Sequence, residues 1–373
     1  MTITTKWLTS MAATTATLAL SFSALSLPSQ PASASTMPAQ ASNAGGYTFG
    51  LLLPDIFVPR YNTQDFPYFK AQITKLCPTC KVDFQNAADD VSTQESQAEA
   101  MIAKHVSVLV LDPIDGATAG SMVRDARAHH IPVISYDRLV TSPNLSYVVS
   151  NNYTDVGKLQ AESLVAKLEA QHAPKTNGHG IVMLNGADTD PNALHMKAAA
   201  LPIIKASGYR ILASNDSWDP SVQSQFMAQQ ITKFGDKIVG IYAMNDGNAG
   251  AAIGALKGTE LSFNPWPPIT GLDASIPGVQ SILDGLQYET TFNDFRQEAI
   301  HAAIAAYALA QGKPVPSSII SGRIEGAPEF LNQPQAVTLG NINKVLIESG
   351  FYKASQICTR LYLTVCKAAG IKL

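Results

Sequence analysis

Asp137 and Arg138 follow directly on an apolar run at 132–136, and Asp112 and Asp115 follow in the same way on another at 106–111. An aspartate beside an arginine offers carboxylate acceptors next to a planar fork of donors, a pairing suited to gripping a polar ligand. The stretch 106–138 reads as one βαβ unit, in which a strand ends in an acidic, Gly-containing turn, a helix follows, and a second strand ends at Tyr136-Asp137-Arg138. In open parallel sheets the helices cover both faces, so polar side chains just past the strand carboxyl ends face the ligand crevice. Asp137 and Arg138 are therefore ligand candidates; the plainer alternative is an ion pair on a surface loop. No GxGxxG, P-loop, GxSxG or HExxH sequence occurs, so hydride transfer, phosphate cradling, serine hydrolysis and zinc proteolysis lack their signatures. The carboxylates Asp112 and Asp115 leave open a secreted, glycosidase-like enzyme, with no further motif behind it.

These residues sit in a chain of 373 residues, 46% hydrophobic and 15% charged, longer than a single core usually fills. Two lobes are the expectation. A net charge of -3 gives no basic footprint, and no nucleic-acid partner is expected. Lys6, an apolar and small-residue stretch at 7–27, and Ala32-Ser33-Ala34 follow the order of a secretory signal peptide, predicting cleavage after Ala34 and a periplasmic or secreted protein. Residues 35–46, rich in Ala, Ser, Pro and Gly, read as a disordered leader. In an oxidising compartment the four cysteines read as two local disulfides, Cys77 with Cys80 and Cys358 with Cys366. No histidine lies at ligand spacing near either pair, so no metal is expected.

From Tyr47 onward, strand-like runs alternate with helical windows. Runs at 47–53, 81–86, 106–111, 132–136 and 146–150 make a first set; runs at 180–184, 210–213, 238–243 and 268–272, with helical windows at 192–206 and 221–234, make a second. Two α/β lobes of Rossmann-like architecture follow.

The secretion signal, a first strand ending near Asp55, Asp-Pro-Ile-Asp-Gly at 112–116, the 132–138 segment, Asn245-Asp246 followed by Gly250, and Gly271-Leu272-Asp273 together resemble the periplasmic sugar-binding proteins of ABC transporters. The likeness is to the type I ribose/galactose-like family and its xylose-binding branch, over residues 47 to about 312. The resemblance implies two α/β lobes joined by a three-segment hinge, with a monosaccharide held in the cleft between them. Crossings are expected near Ser150, Asp273 and Phe292, placing 47–150 with 274–292 in the first lobe and 151–273 with 293–373 in the second. It also implies a monomer without cofactor or catalysis that hands its sugar to a membrane permease; a sensor kinase or chemoreceptor is the alternative partner.

Carried over residue by residue, the family's site falls on Arg60, Tyr61, Asp137, Arg138, Asp190, Asn192, Trp218, Asn245, Asp246, Asp273 and Asn293. Two departures stand out. Relatives commonly have Phe-Asp-Asn where this chain has Asn151-Asn152-Tyr153, and xylose binders carry a Lys where Asn293 stands. The residue types suit a sugar: charged and amide groups hydrogen-bond hydroxyls around the ring edge, and Trp218 and Tyr61 offer flat faces to its C–H groups. Trp218 is otherwise ordinary packing, and Asp246 is otherwise a helix cap. His195 reads as helix surface.

Overall fold

The computed structural model describes residues 46–372 apart from Glu325. The expected secretion signal and all but the last residue of the expected leader lie outside the described residues.

The first lobe is built on alternation of strand and helix: β1 (Thr48–Leu53), α1 (Phe66–Leu76), β2 (Lys81–Asn86), α2 (Val91–Ala103), β3 (Val108–Leu111), α3 (Gly120–Ala128), β4 (Val133–Tyr136) and β5 (Tyr147–Asn151). Its strands are apolar on both faces because helices cover both. Phe49, Leu51 and Leu53 point into one core, and Leu52, a residue out of phase, into the other. The expected strand positions of this lobe are met.

The chain then crosses into α4 (Tyr153–Ala170), β6 (Gly180–Asn185), α5 (Pro191–Ala206), β7 (Arg210–Asp216), α6 (Pro220–Phe234), β8 (Ile238–Ala243) and α7 (Asp246–Lys257). Strands β7, β6 and β8 form a parallel sheet in that order. Helix starts follow the rule that a short polar side chain accepts an orphan backbone N–H: Asp190 accepts from Asn192 N at 2.7 Å, and Asn245 from Asn248 N at 2.8 Å.

The remaining elements correct the expected lobe boundaries. The 268–272 run continues the second sheet through bridges Ile241 to Ile269 and Leu272 to Thr291. After α8 (Ile276–Leu283), β9 (Glu289–Phe292) therefore stays in the second lobe. Helix α9 (Phe295–Ala310) packs instead on α1 in the first-lobe core. Strands β10 (Gly322–Ile324) and β11 (Ala327–Asn332) complete a seven-stranded first sheet, in the order β10-β11-β5-β4-β3-β1-β2. Strand β12 (Gln335–Thr338) then pairs with β9 and returns the chain to the second lobe, where the C-terminal segment forms a core around Phe351 and the Cys358–Cys366 disulfide. Segment 274–292 thus belongs to the second lobe and most of 293–332 to the first. No crossing lies near Asp273.

The three crossings observed are at 151–153, 293–295 and 332–335. They are laced together: Asn152 N donates to Asn332 O at 3.0 Å, and Asn332 Nδ2 to Asp294 O at 3.2 Å. Asparagine suits this place because its amide bonds a neighbouring backbone that no sheet ladder serves. The Cys77–Cys80 disulfide closes the end of α1, as expected. Among the described residues no helix is long and apolar enough to cross a membrane.

Candidate functional site

The carboxyl ends of both parallel sheets face each other across one small cavity. The first lobe contributes Arg60 and Tyr61, which open a π-helical turn after β1, and Asp137 and Arg138, which follow β4. The second contributes Asp190 and Asn192 at the start of α5, Trp218 before α6, Asn245 as the cap of α7, and Asp273. Asp137 and Asp273 have positive φ angles of 55° and 94°. Such conformations are uncommon outside glycine and gather where a side chain must be aimed by its surroundings.

Two buried arginines organise the charge. Arg60 reaches Asp137 at 2.6 Å, Glu298 at 3.4 Å, Asp65 at 3.5 Å and Asp273 at 4.0 Å. Arg138 reaches Asp190 at 2.9 Å, Asp55 at 3.0 Å and Asp112 at 3.9 Å. The Arg138–Asp190 and Arg60–Asp273 approaches run between lobes, as does the hydrogen bond from Asn192 Nδ2 to Asp137 at 3.4 Å. A backbone contact from Gly116 N to Thr189 O at 3.3 Å adds to the seam. Gly116 is required there, since a Cβ would stand 2.6 Å from Leu139 O and 2.9 Å from Pro191 Cγ. The two lobes thus meet directly across the cleft.

The flat wall is Trp218, 8% exposed, whose indole N–H donates to Asp190 Oδ2 at 2.9 Å. The ring lies so close to Gly186 that a Cβ there would fall 2.0 Å from it. That hydrogen bond and that close approach fix the indole plane.

Burial and pairing drive the carboxylates apart. Burial would raise Asp137, but the Arg60 guanidinium and the Tyr153 hydroxyl prevail and hold it below the ordinary carboxylate range. Asp273, half-buried and facing Arg60 only at a distance, is pushed up by desolvation to about 7. Burial likewise lifts Asp65 to about 6 and Asp246 to about 6. These three raised groups bind protons in the folded chain that they release on unfolding. Their contribution to stability is complete below the unfolded carboxylate range and is lost as pH rises through 6 and 7. The ligand-free protein is expected to melt at a higher temperature at pH 5 than at pH 8 in a scanning-fluorimetry series; a melting point that rises steadily over that interval contradicts the assignment.

Nine of the eleven expected site residues line this cavity, and two do not. Asn245 takes the cap position of α7, so Asp246 begins the helix itself and turns away. Its carboxylate accepts from Ser275 N at 2.8 Å, Ser275 Oγ at 2.9 Å and Gln287 Nε2 at 2.8 Å. Asp246 braces α8 and β9 rather than facing the cleft. Asn293 is 1% exposed in the second crossing and is absent from the cavity wall. The cavity also includes Val58, Tyr153, Met196 and Leu272, which were not expected. Tyr153 had a visible signal, an unusual aromatic at the first crossing; the three apolar residues had none beyond adjacency to strand ends. Asp112 and Asp115 form no flanking catalytic pair: Asp112 is buried behind Arg138, and Asp115 accepts from Ala117 N and Thr118 N at the start of the next helix.

A family model described as a periplasmic binding protein domain matches residues 49–314. The chain is 31% identical over 284 residues to the D-xylose-binding periplasmic protein of Haemophilus influenzae, covering 74% of this chain and 82% of that one. It is 31% identical over 298 residues to a multiple sugar-binding periplasmic receptor of Rhizobium radiobacter, covering 74% and 83%. Among solved structures, an ABC transporter solute-binding protein from Clostridium phytofermentans with bound β-D-glucose superposes with a TM-score of 0.74 at 27% identity, covering 83% of this chain and 99% of that one. The matched region runs from within β1 to just past α9 and contains all the cavity residues. The chain belongs to the periplasmic binding protein family, whose members bind substrates for transport and are not enzymes.

Proposed function

We propose that this protein captures a neutral monosaccharide, a xylose-like aldose, in the cleft between its lobes and delivers it in the periplasm to the permease of an ABC transporter. The observation that carries the reading is the convergence, from both lobes, of charged and amide groups with an aromatic plane on one small cavity. A sugar needs both: hydrogen-bond partners around its rim and a flat apolar surface against its C–H face. Asp273, the Asn245 amide and the Asn192 oxygen supply the rim, and Trp218 supplies the face. The charged pairs Arg60–Asp137 and Arg138–Asp190 hold that frame rigid and dry.

Delivery follows from the hinge. Contacts made by both lobes at once exist only when the cleft is shut, so the sugar shifts an open–closed equilibrium by its differential affinity for the two forms. The shut form is what the membrane partner reads, and that partner supplies the energy of nucleotide hydrolysis.

A melting series against pentoses, hexoses and small polyols tests the reading. A ligand at 100 times its dissociation constant stabilises the folded form by about 2.7 kcal/mol, roughly a 5–10 °C rise for a protein of this size. At least one aldose is expected to produce such a shift; a flat response to every sugar counts against the proposal.

A further inference from the structure

Asp137 holds a full set of donors without any ligand. Its Oδ2 takes Arg60 Nη2 at 2.6 Å and the Tyr61 hydroxyl at 3.1 Å; its Oδ1 takes the Tyr153 hydroxyl at 2.5 Å and Asn192 Nδ2 at 3.4 Å. A carboxylate has about four lone-pair sites, so none is left for a sugar hydroxyl. Asp273 is the opposite case: among the described residues no side chain or backbone N–H hydrogen-bonds to its carboxylate, and its nearest cation is 4.0 Å away.

Tyr153 makes this difference. It is the first residue of α4, at the end of the first crossing, and its ring forms part of the cavity wall at 7% exposure. Its hydroxyl is held from both sides, accepting from Asn151 Nδ2 at 3.2 Å while donating to Asp137. Asn151 is itself anchored to Glu298 at 3.0 Å, and the neighbouring Asn152 to the third crossing. The phenol is therefore fixed to the hinge and cannot swing aside cheaply. A ligand hydroxyl directed at Asp137 would have to displace it and leave a buried phenol unpaired, a loss of about tenfold or more in dissociation constant.

Resting on the monosaccharide reading above, we propose that Tyr153 is a specificity-determining residue of the cleft: it closes the Asp137 side to any further hydroxyl or hydroxymethyl group, so that a pentose is selected over a hexose. The sugar's donors are received at Asp273 instead.

Titration calorimetry of D-xylose and D-glucose with the wild-type protein, Tyr153→Phe and Tyr153→Ala tests this. The wild type is expected to favour xylose by about tenfold or more. Tyr153→Phe keeps the ring and frees one Asp137 lone pair, and Tyr153→Ala also frees the space; each is expected to shrink the preference to roughly threefold or less by gaining glucose affinity. Because the phenylalanine variant preserves the packing, the test stands even if the alanine variant does not fold. A preference that stays the same in variants that melt cooperatively overturns the role of Tyr153, as does a wild type that favours glucose. A wild type that binds no monosaccharide at all overturns the sugar reading together with it.

Discussion

Arg138→Ala is expected to destabilise the protein by about 3–5 kcal/mol, because it leaves a buried group of carboxylates without their cation. Asp55, Asp112 and Asp190 all turn towards this one guanidinium, and each is at most 2% exposed. Read from the sequence alone, Arg138 is a ligand contact. Its surroundings make it a structural centre as well, tying β1, β3 and β4 of the first lobe to the start of α5 in the second. A loss of this size corresponds to roughly 6–20 °C in melting temperature for a protein of two lobes. A melting point within about 2 °C of the wild type contradicts the account of the network, at the ~2–4 °C per kcal/mol that applies here.

Asp273→Ala has the reverse signature. The carboxylate is desolvated, weakly paired and raised to about 7, so its removal relieves the folded state instead of breaking it. Melting temperature at pH 8 is expected to hold or rise. Sugar binding, by contrast, is expected to weaken by about 10- to 150-fold, the equivalent of the ~1.5–3 kcal/mol carried by a hydrogen bond to a charged group. The pair of variants separates two kinds of charge in one cleft, the frame at Arg138 and the receiving group at Asp273. Calorimetry finding the two variants alike in both stability and affinity removes that distinction.

Much of this arrangement is legible in the sequence. Strand positions in the first lobe follow from short apolar runs ending in turn residues, and the site follows from polar residues placed where those runs stop. Asp137, Arg138, Asp190 and Asn245 all stand within a few residues after a strand end or at a helix start, the positions that an open parallel sheet exposes to its crevice. The chain's path between lobes was less legible. Strands β9 and β12 pair with each other across more than forty residues of sequence, and β11 joins β5 across most of the second lobe. No local pattern records such long-range partners, so the sequence alone places 274–292 and 293–332 in the wrong lobes.

Asp246 leaves the cleft for a different reason. A helix start presents successive residues in diverging directions, so when Asn245 caps and faces the cleft, Asp246 must point elsewhere. Asn293 directly follows β9 at the second crossing, the one expected near Phe292, and is buried there outside the cavity wall. Tyr153 was seen only as a departure, since nothing in a linear chain says that a tyrosine at the hinge will fill the last acceptor site of an aspartate sixteen residues earlier.

Diffraction from crystals grown with the sugar that most raises the melting temperature tests the central claim most directly. One sugar ring is expected in the cleft, stacked on Trp218, with hydroxyl oxygens about 3 Å from the Asp273 carboxylate and the Asn245 amide. Density for the sugar in the surface groove between Trp266 and Tyr288, with the cleft left to solvent, would contradict it.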